Sequence, residues 1–141
     1  MRIERRFTTK GQDPYDAIEF REATSEIRNP DGSIVFRQDG IEVPAAWSQV
    51  AADILAQKYF RKAGVAARLK PIEDPDVPEF LWRHQPDDKA LARLPEDERF
   101  GGETSCRQVF DRLAGTWTYW GWQGGYFDSA DDARSYYDEM R

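Results

Sequence analysis

The sequence predicts an α+β fold: a β-hairpin or short meander packed on a few helices, with a proline-rich connector between them. Three observations carry it. Two runs of β-type composition meet at Asn29-Pro30-Asp31-Gly32, a one-sided helical stripe follows from Trp47 to Tyr59, and two further helical patterns close the chain after Thr104.

The first strand is expected over Ile18 to Arg28, although Glu22-Ala23-Thr24-Ser25 interrupts its alternation. In the turn, proline fixes φ, aspartate bonds its local backbone and glycine takes the positive φ that closes it. Ser33 to Arg37 is a β-branched and aromatic run, and Asp39-Gly40 signals a second turn before Ile41-Glu42-Val43 and Pro44. So small a sheet is marginal alone and needs an apolar partner. The next helix is expected to supply it. Trp47, Val50, Ala51, Ile54, Leu55, Lys58 and Tyr59 fall on one helical face, and Gly64, after Arg61 and Lys62, is placed to cap its end.

From Arg68 to Gly102 the regular patterns fade, because Pro71, Pro75, Pro78, Pro86 and Pro95 interrupt any long element. Val77 to Trp82 is expected to dock a short turn, since Phe80, Leu81 and Trp82 are too apolar for water, and Pro86 to Leu94 to form a short helix. The rest reads as an extended connector over the surface. Thr104 is the expected N-cap of the next helix, with Val109, Phe110, Leu113 and Trp117 on its buried face. Gly115 would admit a close neighbour, and Gly121, Gly124 and Gly125 end the helix. Ser129 caps a last helix, with Asp132 in capping-box style and Ala133, Tyr136, Tyr137 and Met140 facing inward. The expected organisation is a hairpin and first helix over 1–67, an acidic connector over 68–102 and an aromatic-rich helical part over 103–141, all in one structural unit. The last helix reaches Arg141 uncapped with its apolar face still running, as a cut inside a longer protein would.

Composition bounds the function. A charged share of 33% and a mean hydropathy of -0.80 point to a thin core. A net charge of -6 argues against a dedicated nucleic-acid-binding domain, which needs clustered Lys and Arg. Arg2, Arg5, Arg6 and Lys10 form only a short basic patch, read as a solvated arm. Met1 to Gly11 lacks the apolar stretch of a signal peptide and no segment could span a bilayer, so the expected location is the cytoplasm.

The candidates for chemistry are few. Cys106 is the one cysteine and lies in the first turn of a helix, where the dipole could lower a thiol pKa. A nucleophile needs a base, and only His84, in the connector, could serve. A small helix residue that happens to be Cys, and a solvated histidine, are the plainer readings. Glu73 and Asp74, Asp87 and Asp88, and Asp131 and Asp132 sit in connector or capping contexts and lack the spacing of a calcium loop. No catalytic, cofactor-binding or metal-binding residue is therefore assigned. The distinctive feature is Thr116 to Phe127, whose Trp117, Tyr119, Trp120, Trp122, Tyr126 and Phe127 form a candidate docking surface. A stand-alone module using these rings for a nucleotide, a sugar or a protein partner is the alternative reading. Self-association through exposed rings is a further expectation.

Several long strings resemble one family. DGIEVPAAWSQVAADILAQKYFRKAG (39–64) and GETSCRQVFDRLAGTWTYWGWQGGYF (102–127) are similar to the leading region of class II, adenosylcobalamin-dependent ribonucleotide reductases. The opening MRIERRFTT, the stretch IEFREATSEIRNPDGSIVF and the closing SADDARSYYDEMR fit in the same order. The resemblance implies a parent enzyme that reduces the ribonucleotide 2′-hydroxyl for DNA synthesis. Its thiyl radical forms inside a ten-stranded α/β barrel that this segment lacks and leads into. That chemistry needs several cysteines, so no thiyl or redox role passes to Cys106. What the resemblance implies for this chain is a structural or interface region, inactive alone, binding no adenosylcobalamin itself, with the catalytic barrel as partner.

Overall fold

Strands β1 (Phe20–Arg28) and β2 (Ile34–Pro44) pair antiparallel in a computed structural model that describes residues 1–141. The turn between them is the one the sequence predicts: the Asn29 N–H donates to Ser33 O at 2.8 Å, and Gly32 takes φ 87°. After β2 come α1 (Gln49–Ile54), continued by a π turn over Leu55–Tyr59, then β3 (Val65–Ala66) and β4 (Leu69–Pro71). β5 (His84–Pro86), α2 (Asp88–Leu91), β6 (Phe100–Gly101), α3 (Cys106–Gln123) and α4 (Ala130–Met140) complete the chain. The fold class is α+β with small antiparallel sheets and no closed barrel.

The sheet is a hairpin, not a meander. Asp39 and Gly40 stay inside β2, where Gly40 at φ 65° admits one extra residue between Ile41, opposite Ala23, and Gln38, opposite Ser25. Glu22 to Ser25 does not break β1 either. Ala23, Ser25, Ile41 and Val43 are buried and form the inner face. Against it pack Ala52, Leu55, Ala56 and Phe60 from the first helix and Cys106 and Val109 from α3.

Ser48 starts α1 by accepting the Ala51 N–H at 3.2 Å. The helix presents a different face from the expected one. Of the predicted stripe only Leu55 is buried, while Val50, Ile54 and Tyr59 are 66%, 50% and 56% exposed. The small side chains Ala52 and Ala56 let the helix backbone lie close to the hairpin, and Leu55 and Phe60 fill the space between. Gly64 has φ 78° but is no helix cap, because the π turn already ends at Tyr59.

The connector is more ordered than its prolines suggest. It leaves the core through β3 and β4 and returns through β5 and β6, pairing β4 with β5 and β3 with β6. Val77, Leu81 and Leu91 are buried, and the Trp82 indole donates to Asp74 O and Val77 O at 2.9 and 3.0 Å. The expected short helix is α2, capped by Asp87, which accepts the Ala90 N–H at 3.1 Å.

Ser105, not Thr104, caps α3, and the Gln108 side chain accepts the Thr104 and Ser105 N–H groups at 2.8 and 3.0 Å. Cys106, Val109, Ala114 and Thr118 are buried, Phe110 and Leu113 half-buried, and Trp117 turns outward. Gly121 lies inside this helix, which ends at Gln123 before Gly124 and Gly125. No close neighbour requires Gly115, where an added β-carbon would meet the Tyr137 ring of α4 at an ordinary 3.8 Å. Ser129 caps α4 as expected, but Met140 is 45% exposed, and the inward positions are Ala133, Ser135 and Asp138.

Two substitutions separate the observed core from the expected one. Ile41→Ala, at a fully buried site, should lower stability in urea unfolding by about 2–5 kcal/mol. Ile54→Ala, on the outward face of α1, should change it by no more than about 0.5 kcal/mol.

Candidate docking surface

On α3, Trp117 and Trp120 stand one turn apart and face outward, so their rings form one wall of a groove of about 330 Å³. Tyr126, Phe127, Tyr136 and Met1 line the rest. Gly121 makes the floor possible: a β-carbon there would lie 2.7 Å from the Phe127 ring edge. Phe127 is in turn set against Tyr136, with ring centroids 5.5 Å apart. Trp120 and Tyr126 are the most exposed members, at 64% and 65%.

The six rings picked out in the sequence divide between two roles. Trp117, Trp120, Tyr126 and Phe127 line the groove. Trp122 instead donates its indole N–H to Asp76 O at 2.8 Å, fastening the connector to α3. Tyr119 accepts from the Gln123 amide at 2.8 Å and carries the Arg83 guanidinium 6.0 Å from its ring centre. Sequence reasoning assigned Tyr136 to the inner face of α4 and missed Met1, whose place depends on a contact with the far end of the chain.

That contact is made by the N-terminal arm, which is docked along the C-terminal helix although Arg2, Arg6 and Lys10 keep exposed side chains. The Met1 ammonium pairs with Asp128 and donates to Tyr126 O at 2.6 Å. The Ile3 N–H donates to Asp132 at 2.9 Å, Arg5 pairs with Asp138 at 2.9 Å and Lys10 with Asp131 at 2.6 Å. Glu139 accepts the N–H groups of Arg6, Phe7 and Thr8 at 3.0, 3.2 and 2.8 Å. Carboxylates on and just before α4 thus draw the arm along that helix. Asp138, only 2% exposed, also accepts from Arg134 at 3.0 Å and Arg141 at 3.2 Å. The Arg141 guanidinium sits 4.5 Å from the Tyr137 ring centre and 5.2 Å from that of Tyr15.

The nucleophile and base candidates are not brought together. Cys106 has no exposed surface, and burial, with Glu42 adding to it, pushes its thiol up to about 11. His84 is exposed on β5. Asp87 and Asp132 serve helix caps, and Asp131 holds the arm. A second cavity, of about 460 Å³, opens beside the arm, where Arg5, Lys10 and Arg134 are matched by Asp13, Asp131 and Asp138 and leave no excess charge for an ion. No three His, Cys, Asp or Glu side chains gather as a metal-ligand set, and no helix is long and apolar enough to cross a membrane.

The arm should respond to acid. At Glu139, desolvation raises the carboxyl pKa, but bonds from the Thr8 hydroxyl and the Arg6, Phe7 and Thr8 N–H groups outweigh it, and the net shift is downward. Ser129, then the Ile3 N–H, hold Asp132 low as well. Both folded pKa values lie below the unfolded ones, so the unfolded chain binds more protons in that window. The contribution is complete above the ordinary carboxylate values of 4.5 and 3.8 and is lost as pH falls through the lowered folded values. In an NMR titration the Ile3, Arg6, Phe7 and Thr8 amide shifts should move toward random coil on acidification before those of β1 and β2 do. Cys106 should resist iodoacetamide at pH 8 in the native protein and react promptly in urea.

Residues 21–141 match the family model for the N-terminal region of class II vitamin B12-dependent ribonucleotide reductase. A vitamin B12-dependent ribonucleotide reductase of Bradyrhizobium diazoefficiens is 67% identical over 141 residues, which are 100% of this chain and 11% of that protein. The Agrobacterium fabrum enzyme of the same name is 65% identical over 140 residues, 99% of this chain and 11% of that protein. That of Streptomyces avermitilis is 32% identical over 142 residues, again 99% and 11%. The chain therefore spans only 11% of the length of these relatives. With that match running through both strands of the hairpin and all four helices, the chain belongs to the class II vitamin B12-dependent ribonucleotide reductase family, as its N-terminal region.

Proposed function

We propose that this chain is a structural and docking region of an adenosylcobalamin-dependent ribonucleotide reductase, working in the cytoplasm and supplying no catalytic side chain of its own. One observation carries the reading: the groove of Trp117, Trp120, Tyr126, Phe127, Tyr136 and Met1 contains no charged side chain. Aromatic residues and Met are enriched, and charges depleted, at the centres of protein interfaces. The occupant proposed for the groove is the catalytic barrel of the parent enzyme, which converts ribonucleotides to deoxyribonucleotides. Residues 1–67, 68–102 and 103–141 act as one unit, because the connector and the arm both fasten onto α3 and α4 through Trp122, Arg5 and Glu139.

The groove does not fit a corrinoid. Its roughly 330 Å³ is far smaller than a corrin ring with its nucleotide tail, and its lining offers no histidine or other nitrogen ligand for cobalt. Adenosylcobalamin is accordingly assigned to the rest of the parent enzyme, where it supplies the radical chemistry.

The test is calorimetry of this chain against the Bradyrhizobium diazoefficiens relative from which the matching segment has been deleted. Binding is expected, with Trp120→Ala weakening it by about 2 kcal/mol, roughly thirtyfold, as at an interface hot spot. Unchanged affinity in that variant would remove the groove from the interface. In the absence of the barrel the exposed rings should give concentration-dependent self-association in sedimentation velocity.

A further inference from the structure

The first helix carries apolar side chains on two faces. Inward, Ala52, Leu55 and Ala56 meet the hairpin. Outward, Val50 and Ile54 lie one turn apart and are 66% and 50% exposed, and the π turn ends by carrying Tyr59 outward at 56%. The outward positions belong to the stripe that helical periodicity selects as buried. Apolar side chains so exposed have no partner within this chain, and single-turn π segments concentrate at functional sites.

We infer that the outward face of α1 is a second contact between this region and the remaining polypeptide of the reductase, separate from the aromatic groove. This rests on the docking role proposed above. Two arguments select that occupant. The relatives carry this region as 11% of their length, so most of a reductase chain is available to cover it. A second copy of this chain is the weaker candidate on area: a stable interface buries about 800 Å² on each partner, more than Val50, Ile54 and Tyr59 can present. A covalently linked neighbour needs no such area, because linkage makes the second contact intramolecular. The flanks are polar, with Asp53 and Gln57 on one side and Lys58 on the other, which suits a small apolar centre inside a polar rim.

The experiment uses a chimera in which this chain replaces the matching segment of the Bradyrhizobium diazoefficiens relative. Hydrogen exchange is compared between the chimera and the free chain for peptides covering α1 and the groove. Protection of both peptides in the chimera is the expected result. Protection of the groove peptide alone would overturn this inference and leave the docking role standing, and protection of neither would overturn both. Protection of α1 that appears in the free chain and grows with its concentration would assign the face to a second copy and also overturn the inference. Val50→Ser with Ile54→Ser gives an independent readout, since Ser, Val and Ile have similar helix propensities. The double variant should leave the melting temperature of the free chain unchanged and lower that of the chimera. Equal melting of wild-type and variant chimeras would refute the contact.

Discussion

A buried carboxylate, Glu103, joins three parts of the chain that local structure alone would not bring together. It is 3% exposed and accepts the Arg61 N–H at 2.8 Å and the Arg112 Nε at 2.8 Å. Its own N–H donates to Arg61 O at 2.9 Å and its carbonyl accepts from the Gln38 amide at 2.9 Å. Arg112 also donates to Tyr59 O at 2.7 Å, at the end of the π turn. The hairpin, the end of the first helix and the start of α3 therefore meet at one residue, the hairpin through its carbonyl and the other two through its carboxylate. Removing one partner of a buried pair costs about 3–5 kcal/mol, and the partial exposure of Arg112 places this pair toward the lower figure. Gly102 belongs to the same arrangement, since a β-carbon there would lie 3.0 Å from Arg61 O.

This clasp also explains how a proline-rich stretch becomes ordered. The segment from Val65 to Gly101 leaves and re-enters the core at two strands held side by side, and the clasp stands at their base. With its ends fixed, the short β4–β5 ribbon needs only Val77, Leu81 and Leu91 to anchor it. Loop-closure entropy is offset once for the whole excursion instead of separately by each short element. Trp122 then carries the same order across to the C-terminal helices through its bond to Asp76 O.

What the sequence made legible was local. The Asn29–Gly32 turn, the Ser129 cap and the family strings each depend on neighbours a few residues away, and each stands where it was expected. The misreadings came from partners that are distant in sequence. Periodicity showed that α1 has an apolar stripe but not that its alanine face would meet the hairpin. The basic stretch near Met1 looked like a free arm because the carboxylates that pair with Arg5 and Lys10, Asp138 and Asp131, lie at the far end of the chain. Gly40 looked like a turn because a bulge and a turn both use a glycine at positive φ. In the groove the rings were legible from composition, whereas the Met1 wall was not. Glu103 stood among connector acids, and the cue that sets it apart, a Gly102 that lets Arg61 approach, acquires meaning only in three dimensions.

The arm and the groove are mechanically one device. Met1 is held by Asp128 and by the Tyr126 carbonyl, so the residue that closes one side of the groove is fixed by the loop that supplies another. Asp132 and Glu139 fix the arm further along. A groove whose walls are already ordered loses little conformational entropy when a partner enters, and preorganisation of this kind strengthens binding without adding contacts. The carboxylates of α4 thus act on the groove from outside it: protonation that frees the arm withdraws one wall while leaving Trp117 and Trp120 in place on α3. An aromatic surface built this way is shaped partly by charge, although no charged side chain lines it.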